Sequence, residues 1–231
     1  MIERMAAANP LWRAPRIHGE LKVLGITISE RTVSRILRRL RRPPSQTWRT
    51  FLHNHLGQMV SIDFFTVPTI TMKVLFVFIV LEHREVLHFN VTEHPTAAWT
   101  CQQIVEAFSE RDAPGYIIRD RDGVYGNEVR LRIASLRMEE VLTAAQSPWQ
   151  NPYGERLIGS IRRDCLNHFV ILNAGHLKRT LTSYFAYYHG SRTHLGQDKQ
   201  CPFPRAVMST GQIVEIPQLG GLHHRHAGIA A

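Results

Sequence analysis

Residues 60–67 read VSIDFFTV and residues 116–120 read YIIRD. Both are short runs of β-branched and aromatic residues, the composition of strands that pack into a core. Asp63 interrupts the first run and Asp120 closes the second. A carboxylate inside a segment otherwise fit for burial is costly unless a cation, a proton or an arginine answers it. Flanking stretches complete the pattern. Further strands are expected at about 73–81 and 86–92, then a helix at about 96–110 with Ala97, Cys101, Ile104, Val105 and Phe108 as its buried stripe. Residues 127–136 read as a helix, 138–143 (MEEVLT) as a fifth strand, and about 152–169 and 175–189 as two long helices. The order β-β-β-α-β-α-β-α-α predicts an α/β fold, a mixed five-stranded sheet flanked by helices.

A third acid, Glu155, lies one turn into the helix that opens at Asn151-Pro152, where Asn caps, Pro suits the first helical position and the helix dipole favours a negative side chain. Asp120 and Glu155 have 34 residues between them; Asp122, a competing second acid, would leave 32. Each acid also has a plain structural reading. Asp63 can be a paired core residue, Asp120 can start the turn in RDRDG, and Glu155 can complement the dipole. If the fold gathers them, their mutual repulsion calls for cations, and such a cluster suits a pair of Mg²⁺ ions. On the Glu155 helix, Ile158, Ile161, Cys165 and Phe169 are expected to be buried. Glu155, Gly159 and Arg162 share another face, with Gly159 leaving room for a strand.

The charge of +9 is uneven: residues 1–50 carry 11 Lys/Arg against 3 Asp/Glu, whereas the other 181 carry 17 against 16. A basic arm on a nearly neutral body points to a phosphate-rich partner. Helices are expected at 2–9, about 15–24 and about 29–41, with Gly25 ending the second and Ser29 capping the third. Val33, Ile36, Leu37 and Leu40 give the third helix a core face, and Arg31, Arg35, Arg38 and Arg42 run down another side. This is the layout of a helix-turn-helix with residues 30–41 as recognition helix. Domains are therefore expected at 1–42 (helix-turn-helix), 43–55 (linker, broken at Pro43-Pro44-Ser45), 56–205 (core) and 206–231 (tail).

Three cysteines, Cys101, Cys165 and Cys201, fit neither a disulfide framework nor a zinc motif, which makes a reducing cytosol the expected compartment. No apolar run is long enough for a membrane span, so no membrane partner is expected. His53 and His55 read as surface or DNA-facing residues, and His223, His224 and His226 as a solvated cluster beside a short strand and turn in IVEIPQLGG (213–221).

The segments VSIDFFTV, RDRDGVYG (119–126), SPWQNPYGERLIGSIRRDCLNHF (147–169) and YFAYYHGSRTHL (184–195) resemble the integrase catalytic core of bacterial insertion-sequence DDE transposases, relatives of retroviral integrases. The resemblance spans roughly residues 10–205 and is most specific at SPWQNPYGER. It implies an RNase H-like fold and two-metal DNA cleavage at element ends, followed by 3′-OH strand transfer without a covalent protein–DNA intermediate. Asp63, Asp120 and Glu155 are then the catalytic metal ligands for two Mg²⁺, with Mn²⁺ as substitute, Asp63 bridging both ions. In this family the second and third acids stand close to 35 residues apart, and the second precedes an aromatic, here Tyr125, which favours Asp120 over Asp122. Arg162 and Arg163 become phosphate contacts, and Trp149 and Gln150 shape the loop before Glu155. The implied partners are double-stranded DNA (transposon ends and target) and further copies of the chain on that DNA, in a bacterial, nucleoid-associated setting. The chain lacks the His-His-Cys-Cys zinc module of retroviral integrases and starts late for the family, which predicts a truncated or internally started copy. A non-catalytic DNA-binding derivative and an RNase H-like nuclease are the alternatives.

Overall fold

The computed structural model describes residues 1–9, 12–40, 48–144, 147–194, 199–206 and 211–229. Arg42 and the Pro43-Pro44-Ser45 break lie outside them, as does the side chain of Leu40. Two units follow one another in the chain, Met1–Asn54 and His55–Ala231.

In the first unit the helices are α1 (Ile2–Ala8), α2 (Ala14–Val23), α3 (Glu30–Leu40) and α4 (Trp48–His55). Ile2, Ala14, Ile17, Leu21 and Val33 form its core, with Ile36 and Leu37 packed against it. The chain leaves α2 through Gly25 at φ +76°, a left-handed conformation that favours glycine, and Ile26 N–H returns to Leu21 O. Ser29 Oγ accepts from Thr32 N–H and so caps α3. The segment read as a linker contains α4, whose Trp48 and Phe51 rings stack at 5.6 Å.

In the second unit, β1 (Met59–Pro68), β2 (Val74–Glu82), β3 (Glu85–Thr92), β4 (Tyr116–Arg119) and β5 (Glu139–Leu142) form one sheet in the order β3-β2-β1-β4-β5. β1–β2 and β2–β3 are antiparallel; β1–β4 and β4–β5 are parallel. The helices α5 (Ala97–Ala107), α6 (Asn127–Ser135), α7 (Pro152–Asp164) and α8 (Ala174–Gly190) flank it. Alternation along the strands divides the core. Val60, Ile62, Phe78 and Val80 pack with Ile104 of α5 and with Val129 and Ile133 of α6. Phe65, Val67, Val77 and Ile79 pack with Leu157 and Ile161 of α7 and with Leu177, Leu181 and Tyr184 of α8. This is the RNase H-like mixed five-stranded sheet flanked by helices that the sequence predicts.

Four details differ. The α7 stripe is centred on Leu157 and Ile161, with Ile158 only partly buried. The helix ends at Asp164, so Phe169 lies beyond it, after a short 3₁₀ turn at Leu166–His168. The space beside Gly159 holds the Arg163 guanidinium rather than a strand. Finally, the tail forms an antiparallel hairpin of β6 (Gln212–Gln218) and β7 (His223–Ile229). His223 is packed: its ring stacks on Tyr187 at 4.5 Å, and its Nε2 bonds Asp164 O. His224 and His226 are exposed.

Candidate active site

The parallel register decides where the first two acids stand. β1 and β4 pair Met59 with Tyr116, Val60 with Ile117 and Ser61 with Ile118. Carried two residues further, the same offset sets Asp63 opposite Asp120, on the face where Phe65 and Val67 meet α7. β4 ends at Arg119, so beside Asp63 the sheet has no ladder partner on that side.

Glu155 reaches the same region from the first turn of α7, where it is exposed. Asn151 caps that helix by accepting from Gly154 N–H at 3.3 Å. The same side chain donates from Nδ2 to Asp63 Oδ2 at 3.3 Å. Gly154 makes this possible, because a Cβ there would lie 2.6 Å from Asn151 Nδ2. Asn151 therefore couples the start of α7 to the aspartate on β1. The sequence shows it only as a cap.

Electrostatics join the acids. Burial pushes the Asp63 carboxyl up from 3.8 to about 7, the Asp120 charge adds to the rise, the Phe64 N–H bond opposes it, and Glu155 and Asp122 raise it further. All three other acids thus act on Asp63. Phe64 N–H donates to Asp63 Oδ1 at 2.8 Å. Asp120 Oδ1 accepts from Asp122 N–H, and Asp122 Oδ1 accepts from Val124 N–H, so both also organise the turn after β4. Among the described residues no three His, Cys, Asp or Glu side chains stand close enough together to grip an ion as they are. The donor set itself, carboxylate oxygens alone, suits a hard divalent cation.

Arg119 goes unremarked in the sequence, and Tyr125 is marked there only as the aromatic after the second acid. Arg119 turns Nε and Nη2 to Glu140 Oε1, both at 2.7 Å, donates from Nη1 to Asp120 O and lies over the Tyr125 ring at 4.9 Å. Tyr125 is 6% exposed, packs against Phe64 and has a buried hydroxyl with no hydrogen-bond partner.

The expected phosphate contacts are exposed. Arg162 donates from Nη2 to Thr66 O and lies over the Phe65 ring; Arg163 fills the space at Gly159. Trp149, in the loop before Glu155, is 68% exposed. Gln150 Oε1 accepts from Ala144 N–H at 2.6 Å and ties the preceding loop. In the first unit Arg31, Arg35 and Arg38 are exposed and line one surface cavity with Ser29 and Thr32.

Residues 136–202 match the integrase core domain family. The Mos1 transposase catalytic domain, solved with raltegravir and Mg, superposes with a TM-score of 0.52 at 18% identity, covering 63% of this chain and 85% of that one. The second unit shares the fold of that catalytic domain. The Mos1 strand transfer complex gives 0.52 at 15% identity over 80% of this chain and 69% of that one. A chain of the simian T-cell lymphotropic virus intasome, in complex with a PP2A regulatory subunit, gives 0.52 at 13% over 74% and 66%. A comparison with curated proteins returns no match. The five-stranded core carries its acids on β1, after β4 and on α7. Among the described residues no helix is long and apolar enough to cross a membrane.

Proposed function

We propose that the chain is a DDE transposase of the insertion-sequence type, which cleaves DNA at element ends and joins the freed 3′-OH to target DNA. The observation that carries this reading is the register that sets Asp63 opposite Asp120, beside an α7 start tied to Asp63 through Asn151. Asp63, Asp120 and Glu155 would hold divalent cations, Mg²⁺ or Mn²⁺. The donor set fits, and the repulsion that lifts Asp63 is what a cation would relieve. Bound there, the ions would supply Lewis-acid stabilisation and an activated nucleophile. Asp120 is favoured over Asp122 because it continues the register and weighs more heavily on Asp63.

The chain's own residues would do the rest. Asn151 orients Asp63, and Arg162 and Arg163 hold phosphates along the exposed side of α7. Arg31, Arg35 and Arg38 would grip a DNA duplex through α3, with copies of the chain assembling on paired ends. Asp63→Asn, Asp120→Asn and Glu155→Gln should each abolish Mg²⁺-dependent strand transfer while DNA binding survives. Robust joining by any of them would remove that residue from the ligand set.

One observation favours a second reading, a DNA-binding derivative without catalysis: the acids are not gathered into one coordination sphere. Calorimetric titration with Mn²⁺ separates the two. Binding that Asp63→Asn removes supports the enzyme, and no binding supports the inert protein.

A further inference from the structure

Asp120 stands one residue past the end of β4 and is exposed, so burial does not fix its place. The residues on either side of it do. Arg121 donates from Nε to Thr143 O at 3.0 Å, and Thr143 N–H donates to Arg119 O at 3.0 Å. Both bonds reach the residue that follows β5, whereas the ladder with β1 stops earlier, at Ser61 and Ile118.

Arg119 adds a bond of another kind. Ile117 packs in the core shared with α5 and α6, and Arg119, two residues on, shares that face, while Asp120 turns to the opposite one. From behind, the guanidinium reaches round to the main chain: Nη1 donates to Asp120 O at 2.8 Å. Nε and Nη2 both bond Glu140 Oε1 at 2.7 Å, and the group lies over the Tyr125 ring at 4.9 Å. One side chain thus joins the peptide of Asp120, the neighbouring strand β5 and the far end of the turn at 120–125.

Stability alone does not call for this arrangement. Arg119 is 7% exposed and the Glu140 side chain 14%. A pair so buried gives up hydration comparable to the attraction it gains, and an apolar pair of like volume is often as stable or more so. The planar fork of arginine can meet Glu140 and Asp120 O together; the single ammonium of lysine offers no such fixed geometry.

We propose that Arg119 is a positioning residue: held by Glu140, its guanidinium fixes the Asp120 peptide and so the direction in which that carboxylate meets a divalent cation. The inference rests on the reading of Asp120 as a cation ligand. Groups that orient a metal ligand set affinity, and losing one lowers metal binding by roughly 10–100-fold. Glu140 also offsets the Arg119 charge, which would otherwise repel the ion.

The test compares wild type, Arg119→Met/Glu140→Leu and Arg119→Lys in the full chain. Mn²⁺ affinity is measured by calorimetry and by the electron paramagnetic resonance signal of free ion, and melting is recorded in chelator. The double variant should melt in chelator close to the wild type, with its Mn²⁺ Kd raised roughly 10–100-fold. Arg119→Lys, which keeps the charge opposite Glu140, should also bind Mn²⁺ more weakly. Unchanged affinity in either variant overturns the inference. Should the double variant melt well below the wild type, Arg119→Lys decides: weaker binding with melting preserved upholds the inference. Affinity and melting lost together in both variants overturn it and mark Arg119 as merely structural. A wild-type chain that binds no Mn²⁺, or an Asp120→Asn chain that binds it equally well, overturns both this and the ligand reading. A wild-type chain that binds Mn²⁺ yet joins no DNA sinks the transposase reading alone, and the comparison of variants still decides Arg119.

Discussion

Replacing Asp63 by asparagine should stabilise the ion-free protein at alkaline pH, the reverse of what removing a core hydrogen-bonding group ordinarily does. The carboxyl is raised from 3.8 to about 7, first by burial and then by Asp120. A folded-state value above the unfolded one means that the folded chain binds the proton more tightly. The associated stability is fully present below about pH 4 and is lost as pH rises through about 7. At pH 8 the full difference corresponds to about 4 kcal/mol, an upper bound because Asp63 is only half-buried and solvent screens its neighbours. Asparagine keeps an acceptor for Phe64 N–H but weakens the contact with Asn151, a loss of about 1 kcal/mol. The net gain at pH 8 is then about 1–3 kcal/mol, or roughly 3–10 °C in melting temperature for a unit of this size.

Melting of wild type and Asp63→Asn in chelator, from pH 4 to pH 8.5, reads this directly. The curves should converge near pH 4 and part as pH rises. Added Mg²⁺ should raise the wild type alone, by about 2.7 kcal/mol at one hundred times its Kd. A variant that is less stable by a constant amount across the range would show that Asp63 is an ordinary, satisfied core residue, and the case for a cation site would fall with it.

Gly154→Ala should cost about 1–3 kcal/mol, because the new Cβ meets Asn151 Nδ2 at 2.6 Å and breaks both the α7 cap and the tie to Asp63; chemical denaturation measures it. Arg119→Met should cost about 3–5 kcal/mol by stranding Glu140, since the pair is only 8% and 14% exposed. Adding Glu140→Leu should recover much of that loss, and a double variant as unstable as the single would refute the pairing. Replacing Arg31, Arg35 and Arg38 together by alanine should weaken DNA binding and reduce the slope of log K against log salt by up to about 2.7. An unchanged slope in fluorescence anisotropy would take α3 off the DNA.

Element order, strand composition and helix caps are local properties, which is why the core elements fall within a few residues of their expected places. The β1 run VSIDFFTV shows where locality stops. Val60 and Ile62 pack toward α5 and α6, whereas Phe65 and Val67 pack toward α7 and α8. A strand buried on both faces has no polar–apolar alternation, so nothing in the run says which face carries Asp63. That face follows from the register with β4, a strand that joins β1 only after β2, β3 and α5 have intervened. A slip of one residue would turn Asp63 to the opposite face from Asp120. Asn151 and Gly154 are hidden for a related reason: each has a sufficient local explanation, as cap and as small helical residue, and only the tertiary contact shows that the pair also holds Asp63. Tyr125 is the extreme case. Its segment RDRDGVYG reads as a polar turn, and only the folded chain shows the ring buried against Phe64 and the hydroxyl with nothing to bond. The side chains that tune the acids are thus the least legible, because their own segments already account for them.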